Sequence, residues 1–162
     1  MGRLQQEIVV AAPPEAVFAF LADPERLPEW STGVLSVRRT SSGPVGVGST
    51  SEIEVEAFGV RQTLIGRCLT YEPHRRLAVE NRTARGVTVG AISVGGVVMV
   101  SATELVPEST GTRLRTALDY TIQVPPFVRP MAEAFAEPRI RADFEQSLRN
   151  LKRVLDGQPG SG

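Results

Sequence analysis

The feature that most constrains this chain is a change of period. From Val34 to Val124, apolar residues recur at every second position between turns; from Pro126 onward they recur at every third or fourth. In "STSEIEVEAFG", Ile53, Val55 and Ala57 point one way and Glu52, Glu54 and Glu56 the other, the mark of a half-buried strand. In "TRLRTALDYTIQV", Leu114, Thr116, Leu118, Tyr120 and Ile122 share one face, with Arg113, Arg115 and Asp119 on the opposite face. Short turns such as "ESTG" join successive strands, which predicts an antiparallel meander. Downstream, Ile140, Phe144, Leu148, Leu151 and Leu155 trace one buried stripe of a long helix.

Two exceptions punctuate this pattern. The segment "ARGVTVGAISVGG" is rich in glycine and reads either as a bulged strand or as a mobile loop. In the last helix, Phe127, Met131 and Phe135 form a second stripe. At 100° per residue, Phe135 falls opposite Phe144. Pro138 lies between the stripes, so it is expected to kink or divide the helix and let its first half address a different surface.

The N-terminal segment completes the order of elements. "LQQEIVVAA" predicts a strand over residues 4–11. Pro13 and Pro14 open a helix over 14–22, where a missing N–H costs nothing, and Val17, Phe18 and Leu21 give it a buried face. Asp23 is placed to cap a second short helix beginning at Pro24, and Pro28 ends or distorts it. The only tryptophan, Trp30, follows at once. The predicted class is α+β: a curved antiparallel sheet wrapped around a long C-terminal helix, with two short helices after the first strand. One helix cannot fill the concave side of such a sheet. The remaining gap is a natural ligand cavity.

Composition excludes several functions. Lys+Arg and Asp+Glu are balanced at 18 each, which argues against nucleic acid or an anionic membrane surface as the main partner. No apolar run approaches the roughly 20 residues of a membrane helix. The N-terminus lacks the pattern of a signal peptide, and a lone cysteine, Cys68, forms no internal disulfide, so a reducing cytoplasm is expected. One histidine and one cysteine cannot build a Cys/His dyad, a Ser-His-Asp triad or a His-based metal site. No metal and no cofactor are expected. "GPVGVGST" lacks the lysine of a phosphate-binding loop and precedes no helix, so it reads as a hairpin turn. The basic residues are arginine except for Lys152, as in a GC-rich, actinobacterial-type genome.

The stretches "APPEAVFAFLADPERLPEW", "GVGST", "LTYEPHRRLAVE", "GTRLRTALDY" and "SLRNLKRVLD" resemble the START-like, helix-grip (SRPBCC) superfamily, in its polyketide cyclase/dehydrase-like group. The resemblance covers residues 4–156 and implies a single domain over 1–156, a sheet of about seven strands and a central hydrophobic cavity roofed by the C-terminal helix. Residues 157–162 are expected to form a disordered tail. Two functions follow from the resemblance. One is binding of a hydrophobic polycyclic or polyketide-like molecule with cofactor-independent cyclisation or dehydration. The other is non-catalytic carriage or sequestration of a lipid or secondary metabolite.

The candidate site residues are set by face. Trp30, which the resemblance places beside the cavity, either stacks on a ring-shaped ligand or plugs the end of the core. Asn81 shares the face of Leu77 and Val79. Gln62 shares that of Leu64 and Cys68 in one of two registers. Phe127, Met131 and Phe135 are candidates for apolar lining. If the protein is catalytic, Tyr120 or Arg141 would polarise a carbonyl or hold an enolate. Glu52, Glu54 and Glu56 belong on a solvated outer face. His74 belongs in an exposed turn and Cys68 in the core.

Overall fold

The computed structural model describes the backbone of residues 2–89 and 92–157, and their side chains outside 87–94. The first strand, β1 (Gly2–Val10), ends before the Pro13–Pro14 pair. Helix α1 (Pro14–Ala22) starts on a proline and buries Val17, Phe18 and Phe20. The Asp23 carboxylate then accepts the Glu25 N–H at 3.0 Å and starts a 3-10 helix, Pro24–Glu29, that contains Pro28. The N–H of Trp30 closes this turn on the Leu27 carbonyl at 3.2 Å.

The meander follows as β2 (Val34–Arg39), β3 (Thr50–Ala57), β4 (Val60–Glu72) and β5 (Arg76–Thr83). Next come β6 (Val87–Val89), β7 (Ile92–Val94), β8 (Val97–Glu108) and β9 (Gly111–Ile122). Seven strands form one sheet in the order β1-β9-β8-β5-β4-β3-β2, with every neighbouring pair antiparallel. The glycine-rich segment is neither a single strand nor an unstructured loop. Its described residues pair as the β6–β7 hairpin, and Gly90 and Ala91 lie outside the described residues. The residues 158–162 of the expected tail also lie outside them.

Burial confirms the faces. On β9, Thr112, Leu114, Thr116, Tyr120 and Ile122 are buried. The opposite, convex face is a lattice of ion pairs: Glu7 with Arg113 and Arg115, Glu52 with Arg38, and Glu56 with Arg61. The three glutamates of β3 belong to this outer face, and Glu54 accepts the Thr63 hydroxyl at 2.7 Å.

Helix α2 (Arg129–Asp156) runs continuously through Pro138. The proline removes one backbone donor, but packing on both sides of it holds the helix together. Val128, Ala132 and Ala136 before it, and Ile140 just after it, lie on Ile122, Val124 and Val97. Further along, from Phe144 onward, Phe144, Leu148, Leu151 and Leu155 join the main core with Val10, Phe18, Phe20 and Leu114. Ile140 therefore belongs to the smaller cluster rather than to the long stripe.

The candidate ligand cavity

A cavity of about 120 Å³ lies between the 3-10 helix and the concave sheet. Its roof is apolar: Leu21, Ala22, Pro24, Leu27 and Trp30. Its floor is mixed, with Ile53, Leu77 and Val79 beside Ser51, Asn81, Ser101 and Thr103. An apolar cavity of roughly 150 Å³ accepts a benzene, whereas sites for drug-sized ligands run to roughly 300–1,000 Å³. At about 120 Å³ the cavity lies near the lower of these sizes, so a drug-sized ligand must protrude or displace the roof.

The roof is tied to α2. Asn150 Nδ2 donates to the Trp30 carbonyl at 3.1 Å, and the Thr32 N–H donates to Ser147 Oγ at 2.9 Å. Trp30 lines the cavity and also packs against the main core.

The floor is ordered by strand register. Ser51, Gly66, Asn81, Met99, Tyr120 and Gly2 are successive partners across six strands. Each glycine in this row makes room for its larger neighbour. A Cβ on Gly66 would stand 2.8 Å from Asn81 Oδ1, and one on Gly2 would overlap the Tyr120 ring. Asn81 Oδ1 is buried and has no hydrogen-bond partner among the described residues. Cys68 also lines the cavity; burial pushes its thiol up, opposed in part by a backbone hydrogen bond with Thr70.

The other sequence candidates lie elsewhere. Gln62 pairs with Val55 and is absent from the cavity lining; it belongs to a different depression of about 500 Å³. That depression is open and rimmed by Glu52, Glu54, Arg61 and Arg85, which suits an apolar ligand poorly. Tyr120 is inward and 2% exposed, yet it sits under the first half of α2, off the cavity lining. Burial pushes its phenol up, and the charge of Glu137 together with a hydrogen bond to it pushes further. Arg141 is on the surface and pairs with Glu137 at 3.4 Å. It is one position off the seam of Ile140 and Phe144, so it projects to solvent rather than toward the cavity.

Phe127, Met131 and Phe135 are 85%, 75% and 74% exposed, and so are not cavity lining. Because α2 is not divided at Pro138, the residues facing the sheet are their neighbours Val128, Ala132 and Ala136. Phe135 instead stacks on Phe58 at 6.1 Å between ring centroids. Sequence reasoning passed over Ser51, Ser101 and Thr103 as site residues. Their signal was present: they alternate in step with Ile53 and Leu105, at inward positions.

A family model described as "Polyketide cyclase / dehydrase and lipid transport" matches residues 1–156. An uncharacterized Mycobacterium tuberculosis protein is 29% identical over 151 residues, spanning 92% of this chain and 81% of that protein. The crystal structure of a Thermus thermophilus protein superposes with a TM-score of 0.71 at 19% identity, covering 98% of this chain and 100% of the other. That of Ara h 8.0201 gives 0.63 at 14% identity, over 96% and 95%. These structures share the helix-grip fold. With the family match spanning nearly its whole length, this chain belongs to the polyketide cyclase/dehydrase and lipid transport family, of the SRPBCC, helix-grip type.

Proposed function

We propose that this protein binds a hydrophobic, polycyclic or polyketide-like small molecule, one ring of which enters the cavity under the 3-10 helix, and that it carries or sequesters this ligand. The observation that carries the reading is the cavity itself: an apolar roof with the single tryptophan above a floor that mixes Ile53, Leu77 and Val79 with the polar Ser51, Asn81, Ser101 and Thr103. Ligand sites combine apolar walls with a few placed polar groups in this way.

Carriage is placed ahead of cyclisation or dehydration because of the lining's chemistry. Proton transfer needs a group that titrates near working pH within hydrogen-bond reach of the substrate. Among the described lining residues the ionisable ones are Arg67 and Cys68, and the thiol is held in its protonated form. Tyr120 and Arg141, the candidates for polarising a carbonyl, lie off the lining.

The test is to extract the purified protein and identify bound organic molecules by mass spectrometry, then titrate the recovered compound while following Trp30 fluorescence. The expected result is an apolar ring compound that shifts Trp30 emission and is recovered unchanged. A protein that retains no such compound, and whose Trp30 responds to none, overturns the binding reading. Conversion of the compound to a product overturns carriage and restores catalysis.

A further inference from the structure

Asn81 is the most unusual polar group in the cavity. Its Oδ1 is buried without a partner among the described residues, a state that costs free energy until a donor arrives. The position is built rather than incidental. Asn81 stands between Gly66 on β4 and Met99 on β8, and Gly66 alone in that neighbourhood lacks a side chain. An alanine Cβ there would meet Oδ1 at 2.8 Å and Ile53 Cδ1 at 3.1 Å. Gly66 therefore leaves the space the carboxamide occupies, and both residues line the cavity with Trp30 above them.

We infer that Asn81 Oδ1 is the specificity-determining acceptor of this cavity, positioned by Gly66, and that the ring entering it carries a hydroxyl or N–H donor at its leading edge. This rests on the ligand-binding reading above and names the chemistry of the ligand. A ring with an ether, ketone or carboxylate at that edge brings an acceptor against an acceptor. A plain hydrocarbon ring leaves Oδ1 unsatisfied. Both are penalised relative to a phenol-type or lactam-type ring, because a buried polar group left unpaired loses more than one bond is worth.

The cavity is small enough to be probed with single rings. Phenol, anisole and toluene are titrated separately into the isotope-labelled protein, with the Trp30 indole resonance as readout. Phenol is expected to bind at least about tenfold tighter than anisole or toluene. In Asn81→Leu the three affinities converge, with toluene no weaker than in the wild type. In Gly66→Ala, which keeps Asn81 but displaces its carboxamide, the phenol preference also falls toward one.

The wild-type comparison is decisive even if a variant does not fold. Equal binding of phenol and anisole overturns the inference while leaving the ligand reading intact. A preference for anisole overturns it too, since the carboxamide would then present its N–H. A phenol preference that survives in folded Asn81→Leu also overturns it. No response to any of the three rings overturns both the inference and the ligand reading.

Discussion

Asn81 and Tyr120 occupy one row of the sheet, each beside a glycine, yet they meet different surroundings. Asn81 faces the cavity. Tyr120 faces α2, where burial and then Glu137 raise its phenol, with Glu133 adding to the shift and Arg141 opposing it. A group whose folded pKa lies above its unfolded value contributes stability that is present below the unfolded pKa and lost as pH rises. For a tyrosine the loss begins above about pH 10. Chemical denaturation between pH 9 and 11.5 should show wild-type stability falling at the alkaline end, and Tyr120→Phe should flatten that fall. An identical alkaline profile in the variant would remove Tyr120 as its source. Cys68 makes a second residue-scale prediction. Its raised pKa and its place in the cavity wall keep it a protonated, shielded thiol. Alkylation at pH 7.5 should be at least about tenfold slower than in the denatured chain, and slower again with ligand bound. Labelling at the denatured rate would show that the cavity opens freely.

At the scale of elements, the 3-10 helix is the cavity roof, and Asp23 is its cap. Asp23→Ala should cost about 1 kcal/mol and weaken ring binding as the roof frays. Unchanged affinity in a destabilised variant would separate the roof from the ligand. The two stripes of α2 are separable in the same way. Leu148→Ala removes a buried side chain and should cost about 2–5 kcal/mol, whereas Met131→Ser on the exposed stripe should stay within about 0.5 kcal/mol. Urea denaturation distinguishes them, and equal costs would mean that the Met131 face is covered. Strand β4 shows how alternation is both informative and incomplete. Leu64, Gly66 and Cys68 are buried in phase, as period two requires. Then the register shifts between Cys68 and Thr70, leaving Leu69 exposed and turning Tyr71 into the core. A bulge inserts one residue and reverses the parity of everything beyond it. Nothing in "RCLTYE" marks which residue is extra.

For the whole molecule, the end of α2 is fastened to the end of β1. The Ala11 N–H donates to Asp156 Oδ1 at 2.7 Å, and Lys152 reaches the Val9 carbonyl at 2.6 Å while pairing with Asp156 at 3.0 Å. Burial pushes the Asp156 carboxyl up, but the Ala11 N–H and the Lys152 ammonium outweigh it and hold the group below its ordinary range. A carboxyl with a lowered folded pKa contributes stability above its unfolded pKa, near 4, which is lost as pH falls. The pair is partly exposed, so the contribution is small. Thermal unfolding from pH 6 to pH 2.5 should show a shallower acid loss in Asp156→Asn than in the wild type. Parallel curves would mean that the clasp is not charge-dependent.

Much of this architecture was legible in the chain. Alternating residues such as Ile53 and Glu54 must separate a core face from a solvent face, and prolines at 13, 14 and 24 must punctuate the entry to two short helices. Those are local consequences of backbone geometry and hydrophobic burial, and they determined the strands, the long helix and the inward faces of Asn81 and Tyr120. Which inward residues meet a cavity was not local. Asn81 gains its setting from Gly66 on another strand, and Tyr120 gains Glu137 from a helix. Phe127, Met131 and Phe135 lost their predicted place because α2 stayed whole across Pro138. Only the tertiary structure decides such matters, because they depend on the register between strands and on the rotation of a packed helix, which the pattern along a single segment does not encode.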